Sequence, residues 1–136
     1  MRIASLGSGS KGNATLVSYE ETTILVDCGF SLRQFELRLS KLDLAPEDID
    51  AILLTHEHSD HGAGVERLSS RYDISVWATI GTARAVFESS FAYHGVRGGQ
   101  SIQIGCFDIL PVTVPHDAGE PVQYVFRHIS SGKRLG

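Results

Sequence analysis

Leu54-Thr55-His56-Glu57-His58-Ser59-Asp60-His61-Gly62 is the stretch on which the reading of this sequence turns. It grows out of Ile49–Thr55, a short aliphatic run of the kind carried by a strand buried between two layers. Side chains alternate in extended backbone, so His56, His58 and Asp60 face one side of a strand-end loop. A turn into a helix then swings His61 round to meet them. Four donor groups converge from a segment of six residues. Composition alone would produce this pattern in such a chain about once in 1,500, so ligation is preferred over polar residues decorating an exposed helix start. Imidazole and carboxylate together suit zinc or manganese, and their division into two adjacent pairs suits two ions a few ångströms apart.

Upstream, Arg2–Leu6, Ala14–Tyr19 and Thr22–Asp27 read as strands, separated by the loop Gly7-Ser8-Gly9-Ser10-Lys11-Gly12-Asn13 and by Glu20-Glu21. Ser31 is a helix cap for Leu32–Leu42, where Leu32, Phe35, Leu39 and Leu42 mark one buried face, and Pro46-Glu47-Asp48 breaks that helix. Downstream, a helix is predicted over Gly62–Ser70, a strand over Ile74–Ala78 and a helix over Gly81–Tyr93. Strands follow over Ser101–Ile104, Phe107–Val114 and Val122–Ile129, the last ending in a hairpin turn at Ser130-Ser131-Gly132. Strands alternating with helices indicate a layered α/β fold. The sequence stops at Gly136, inside the return strand of that hairpin. An open sheet edge there leads us to expect part of a longer protein.

With 136 residues, 42% hydrophobic and 21% charged, the chain has the size and composition of one globular unit. Disordered, collagenous and disulfide-scaffold classes are excluded. Twelve Lys and Arg against sixteen Asp and Glu give a net charge of −4. Bulk charge therefore supplies no general attraction to nucleic acid or anionic membrane, and any nucleic-acid role must come from a local site. Gly7 interrupts the N-terminus before a secretion signal can form, and no apolar run is long enough to span a membrane, so a cytoplasmic address and no membrane partner are expected. Cys28 and Cys106 lack C-x-x-C spacing and read as buried free thiols, neither paired nor metal-bound.

His56-x-His58-x-Asp60-His61 after an apolar strand resembles the signature of the metallo-β-lactamase superfamily. The resemblance implies a four-layer αβ/βα sandwich with one or two divalent ions, zinc or manganese, at one sheet edge. It further implies that residues 1–136 form only the first β/α half, since the superfamily's bridging Asp and last His ligand lie beyond this sequence. Ile24-Leu25-Val26-Asp27-Cys28-Gly29 matches the family's strand ending in an Asp-x-Gly turn, which implies that Asp27 supports the metal ligands; capping the turn before Ser31 is its other reading. Val112-Thr113-Val114-Pro115-His116-Asp117 matches the third motif, which implies that His116 joins His56 and His58 on the first ion. Asp117 either orients a histidine or faces solvent.

The opening glycine-serine loop, the form His-Glu-His-Ser-Asp-His and Pro115-His116-Asp117-Ala118-Gly119-Glu120-Pro121-Val122 resemble a narrower bacterial group, the YycJ-like or WalJ-like proteins. Members are described as double-stranded DNA exonucleases, so the resemblance implies hydrolysis of DNA or of a small phosphodiester, with Asp60 positioning the attacking water. Ser8, Ser10 and Asn13 are candidate phosphate contacts, because a Gly/Ser loop offers backbone N–H groups and hydroxyls to an anion; a simple hairpin connector is the alternative. A thioester or lactone hydrolase would use the same ligands. An inactive fragment, or a half-domain working by association as a homodimer, is the reading from a different class. His94 reads as a surface histidine and His128 as a structural one. Arg33, Arg38 and Lys41 on one helix read as a solvated face.

Overall fold

The computed structural model describes residues 1–115 and 120–136. Its first sheet is built by β1 (Arg2–Gly7), β2 (Ala14–Tyr19), β3 (Thr22–Val26), β4 (Ala51–Leu53), β5 (Ser75–Ala78) and β6 (His94–Gly95), lying side by side in that order. The hairpins β1/β2 and β2/β3 are antiparallel, whereas β3, β4, β5 and β6 run parallel. The parallel part needs crossovers, and helices supply them. They are α1 (Leu32–Ser40), α2 (Ser59–Gly62), α3 (Val65–Tyr72) and α4 (Ile80–Val86). A second, antiparallel sheet has the order β10-β9-β8-β7, from β7 (Ile102–Ile104), β8 (Phe107–Thr113), β9 (Val122–His128) and β10 (Arg134–Leu135).

The first sheet is the middle layer. Its aliphatic strands bury both faces, and alternation assigns each residue to one of two cores. Leu25, Ile52 and Val76 pack with Phe35, Leu39, Val65 and Leu68 of the helices. Ile24, Ala51 and Leu53 pack with Phe107, Ile109, Tyr124 and Phe126 of the second sheet. The result is a helix–sheet–sheet sandwich in which β4, the strand leading to the histidines, is buried on both sides.

Element boundaries differ from expectation where tertiary contacts intervene. The helix predicted to Leu42 stops at Ser40: Asp43 adopts a left-handed φ of 56°, and Leu42, 43% exposed, leaves the buried face that Phe35 and Leu39 keep. The helix predicted over Gly62–Ser70 is two helices. The break falls at Gly64, whose N–H donates to the Cys28 carbonyl at 2.8 Å and where a Cβ would overlap the Phe30 carbonyl. The helix predicted over Gly81–Tyr93 ends at Val86. Phe87 is extended there, and the Glu88 N–H is taken by Glu66 Oε1 at 2.8 Å. Among the described residues, no helix is long and apolar enough to cross a membrane.

Candidate metal centre

The histidine loop leaves β4 at the carboxyl ends of the parallel strands, where open α/β sheets hold their ligands. His58 is the N-cap position of α2, and the turn of that helix carries Asp60 and His61 back toward the strand end. The His56 and His58 rings meet edge to face at 4.7 Å between centroids, and His56 and His61 lie 4.0 Å apart. His61 Nε2 is 3.6 Å from Asp60 Oδ2. The structure thus gathers His56, His58, Asp60 and His61 into one cluster, all of them half-buried. His116 and Asp117 lie outside the described residues.

Asp27 organises this cluster from below. It is 5% exposed and sits at φ 63°, a left-handed conformation that Asp tolerates better than most residues. Its Oδ2 is 2.7 Å from His61 Nδ1 and also accepts from the Thr55 hydroxyl at 2.8 Å, while Oδ1 accepts from the Thr55 N–H at 2.8 Å. The carboxylate beside the ring holds His61 above the ordinary histidine value, against the opposing effect of burial. Since the Thr55 hydroxyl gives its proton to Asp27, its lone pair receives His56 Nδ1–H at 2.8 Å. Both rings therefore carry their proton on Nδ1 and turn the Nε2 lone pair toward the cluster. This is the orientation that metal-binding histidines take from a carboxylate or hydroxyl behind them. Two correctly oriented imidazoles, a third imidazole and a carboxylate fit a divalent-ion centre in both donor chemistry and number.

The glycine-serine loop reaches the same place. The Asn13 amide Nδ2 donates to the Asp60 carbonyl at 3.1 Å and to Asp60 Oδ2 at 3.2 Å, and the Asn13 N–H donates to that carbonyl at 2.7 Å. Asn13 also closes its own loop through Gly9. Its side chain thus faces inward onto Asp60, whereas Ser8 and Ser10 are exposed. The Asp-x-Gly turn completes the weave: Cys28 N–H donates to the His61 carbonyl at 2.7 Å, and Gly29 N–H to the Asn13 carbonyl at 3.0 Å. A Cβ at position 29 would overlap the Asp60 backbone, so the close approach requires glycine.

Sequence reasoning missed two participants. Thr55 relays Asp27 to His56, and Tyr124, on the second sheet, donates its hydroxyl to the Leu54 carbonyl at 2.8 Å. Nothing in the local pattern marks either residue. Arg38, read as part of a solvated face, instead folds inward: Nη1 donates to the Leu6 carbonyl at 2.7 Å and the guanidinium covers the Phe30 ring. His94 stacks on Trp77 at 4.3 Å and has no place in the cluster. Cys28 and Cys106 are free; Cys28 is fully buried as expected, but Cys106 is only partly so.

Comparison with known proteins agrees with this geometry. The chain is 36% identical over 128 residues to exodeoxyribonuclease WalJ of Streptococcus pneumoniae serotype 2, covering 89% of this chain and 48% of that protein. It is 34% identical over 133 residues to exodeoxyribonuclease YycJ of Bacillus anthracis, covering 90% and 48%. The chain thus spans about half the length of the curated relatives it matches. Among solved structures, Rm3 metallo-beta-lactamase superposes with a TM-score of 0.79 at 19% identity, covering 98% of this chain and 56% of that one, a likeness of fold. The model of the metallo-beta-lactamase superfamily matches residues 7–129, from the glycine-serine loop to the end of β9 and so across every motif just described, and the chain belongs to that superfamily.

Proposed function

We propose that this chain carries the metal-binding part of a phosphodiesterase acting on DNA, in the manner of an exodeoxyribonuclease. The observation that carries the reading is the orientation of His56 and His61 by Asp27, which readies two imidazoles for ligation beside His58 and Asp60. Two relatives at 34–36% identity, both exodeoxyribonucleases, support DNA as the substrate over other molecules hydrolysed within the superfamily. In this reading His56, His58, Asp60, His61 and His116 hold up to two divalent ions, zinc or manganese. When bound, such ions lower the pKa of a water toward neutrality and draw charge from a phosphate oxygen.

The chain's own residues do the rest. Asp60, held at Oδ2 by Asn13, orients the attacking water and accepts its proton. Asp27 and Thr55 keep the imidazoles in one tautomer, so no reorganisation is needed as charge develops. The exposed hydroxyls of Ser8 and Ser10, on the loop that Asn13 ties to Asp60, receive the phosphate backbone.

Metal content of the purified protein and of its His58→Ala variant, followed by degradation of linear double-stranded DNA with and without chelator, tests this reading. We expect the variant to carry about one to two fewer ions per chain, and cleavage to require both the ions and His58. Unchanged metal content would overturn the metal centre. An intact centre that hydrolyses a thioester or lactone but no phosphodiester would overturn the substrate.

A further inference from the structure

A second cluster of metal-binding side chains lies at the opposite end of the sandwich. Glu20 stands in the turn between β2 and β3, Cys106 in the turn between β7 and β8, and His128 at the end of β9. A carboxylate oxygen, the thiol sulfur and an imidazole nitrogen from these three residues all lie within 4.8 Å of one another. β3 begins beside this cluster and ends at Val26, next to Asp27, so its length, about 13 Å at ~3.3 Å per residue, separates the two sites.

Each donor is held by contacts of its own. His128 is 4% exposed, and its ring packs on Tyr19 at 4.2 Å. Its Nε2 points at Glu20 Oε1, 3.0 Å away, and its Nδ1 lies 2.7 Å from Ser131 Oγ. Cys106 is clamped from both sheets: its N–H donates to Thr22 Oγ1 at 3.1 Å, and its carbonyl accepts from Ile129 N–H at 3.0 Å. The sulfur rests 3.3 Å from the Tyr19 carbonyl. Glu20 is the most exposed of the three, its side chain 57% exposed.

We propose that Glu20, Cys106 and His128 form a binding site for a zinc-like divalent ion that staples the two sheets together, separate from the His56 cluster. One thiolate, one imidazole and one carboxylate make the borderline-soft donor set that zinc takes. Metal–ligand bonds of about 2.0–2.3 Å put tetrahedral donors roughly 3.3–3.8 Å apart, so a small inward shift of the exposed Glu20 side chain and the Cys106 turn completes the site. On binding, the Cys106 thiol releases its proton to solvent. For Nε2 to face the ion, the hydrogen bond that Nδ1 accepts from the Ser131 N–H at 3.2 Å gives way, and Nδ1–H donates instead to Ser131 Oγ, 2.7 Å away. The fourth position falls to water, or to the Tyr19 carbonyl already beside the sulfur. Joined this way, the β2–β3 turn of the first sheet and two turns of the second share one ion.

Cobalt(II) substitution distinguishes this site from the histidine cluster, because a thiolate-to-cobalt charge-transfer band reports sulfur ligation alone. We expect the band in the unsubstituted protein, in His58→Ala and in Cys28→Ser, its loss in Cys106→Ser, and at least about tenfold weaker cobalt binding in Glu20→Gln. Zinc should raise the Tm of His58→Ala but not that of the His58→Ala/Cys106→Ser double variant. No thiolate band at several equivalents of cobalt, or a band that survives Cys106→Ser, would overturn the proposal. Both outcomes can be read even if the histidine cluster binds nothing.

Discussion

Asp27 is a small residue with a long reach. One carboxylate engages the Thr55 backbone, the Thr55 hydroxyl and the His61 ring, and through that hydroxyl it sets the tautomer of His56. Asp27→Asn keeps the shape but cannot satisfy all these donors. Metal affinity should fall about 10–100-fold with the fold retained, as competition with a chromogenic chelator would show. The two thiols differ just as sharply. Burial pushes Cys28 up to about 11, so at neutral pH it stays protonated and unreactive, because the thiolate is the nucleophile. Iodoacetamide should label one site per metal-free native chain, Cys106, and reach Cys28 only after unfolding; peptide mass spectrometry reads both. Cys106 was expected to be a buried free thiol; it is free but only partly buried, in a turn that the sequence pattern shows only as Gly105.

Among the elements, backbone crowding governs where helices break. Gly29 and Gly64 let the Asp-x-Gly turn press against the backbone of Asp60 and of the α2–α3 junction. The continuous apolar pattern Gly62–Ser70 could not reveal this break, because its cause lies some 35 residues upstream, at Cys28 and Phe30. Gly64→Ala should cost about 1–3 kcal/mol, the usual penalty of forcing atoms into a packed site. It should also loosen α2 and weaken metal binding in parallel, measurable by urea unfolding and by metal competition. Helix α1 shows the converse: its cap at Ser31 and its core residues Phe35 and Leu39 were legible, since both signals are local.

Across the whole molecule, the second sheet holds the histidine loop in place. Val122 N–H donates to the Thr55 carbonyl at 3.0 Å, and Tyr124 to the Leu54 carbonyl, immediately before His56. Tyr124→Phe leaves a buried carbonyl unsatisfied and should cost about 1–3 kcal/mol in chemical denaturation. Hydrogen exchange should accelerate around Leu54 and Thr55 more than in α1.

What the sequence determined by itself was the clustering of the histidine loop and the layered α/β class. His56, His58, Asp60 and His61 are close because covalent geometry keeps neighbours close, and the alternation of strand and helix patterns is a short-range property. Only the tertiary structure decided what orients those side chains. Asp27 meets His61 across 34 positions, Asn13 meets Asp60 across 47, and Glu20 meets His128 across 108. Contacts at such separations depend on which strands pair, in what register and against which sheet. That choice is made by burying two apolar faces of the central sheet at once, and no local pattern of residues encodes it.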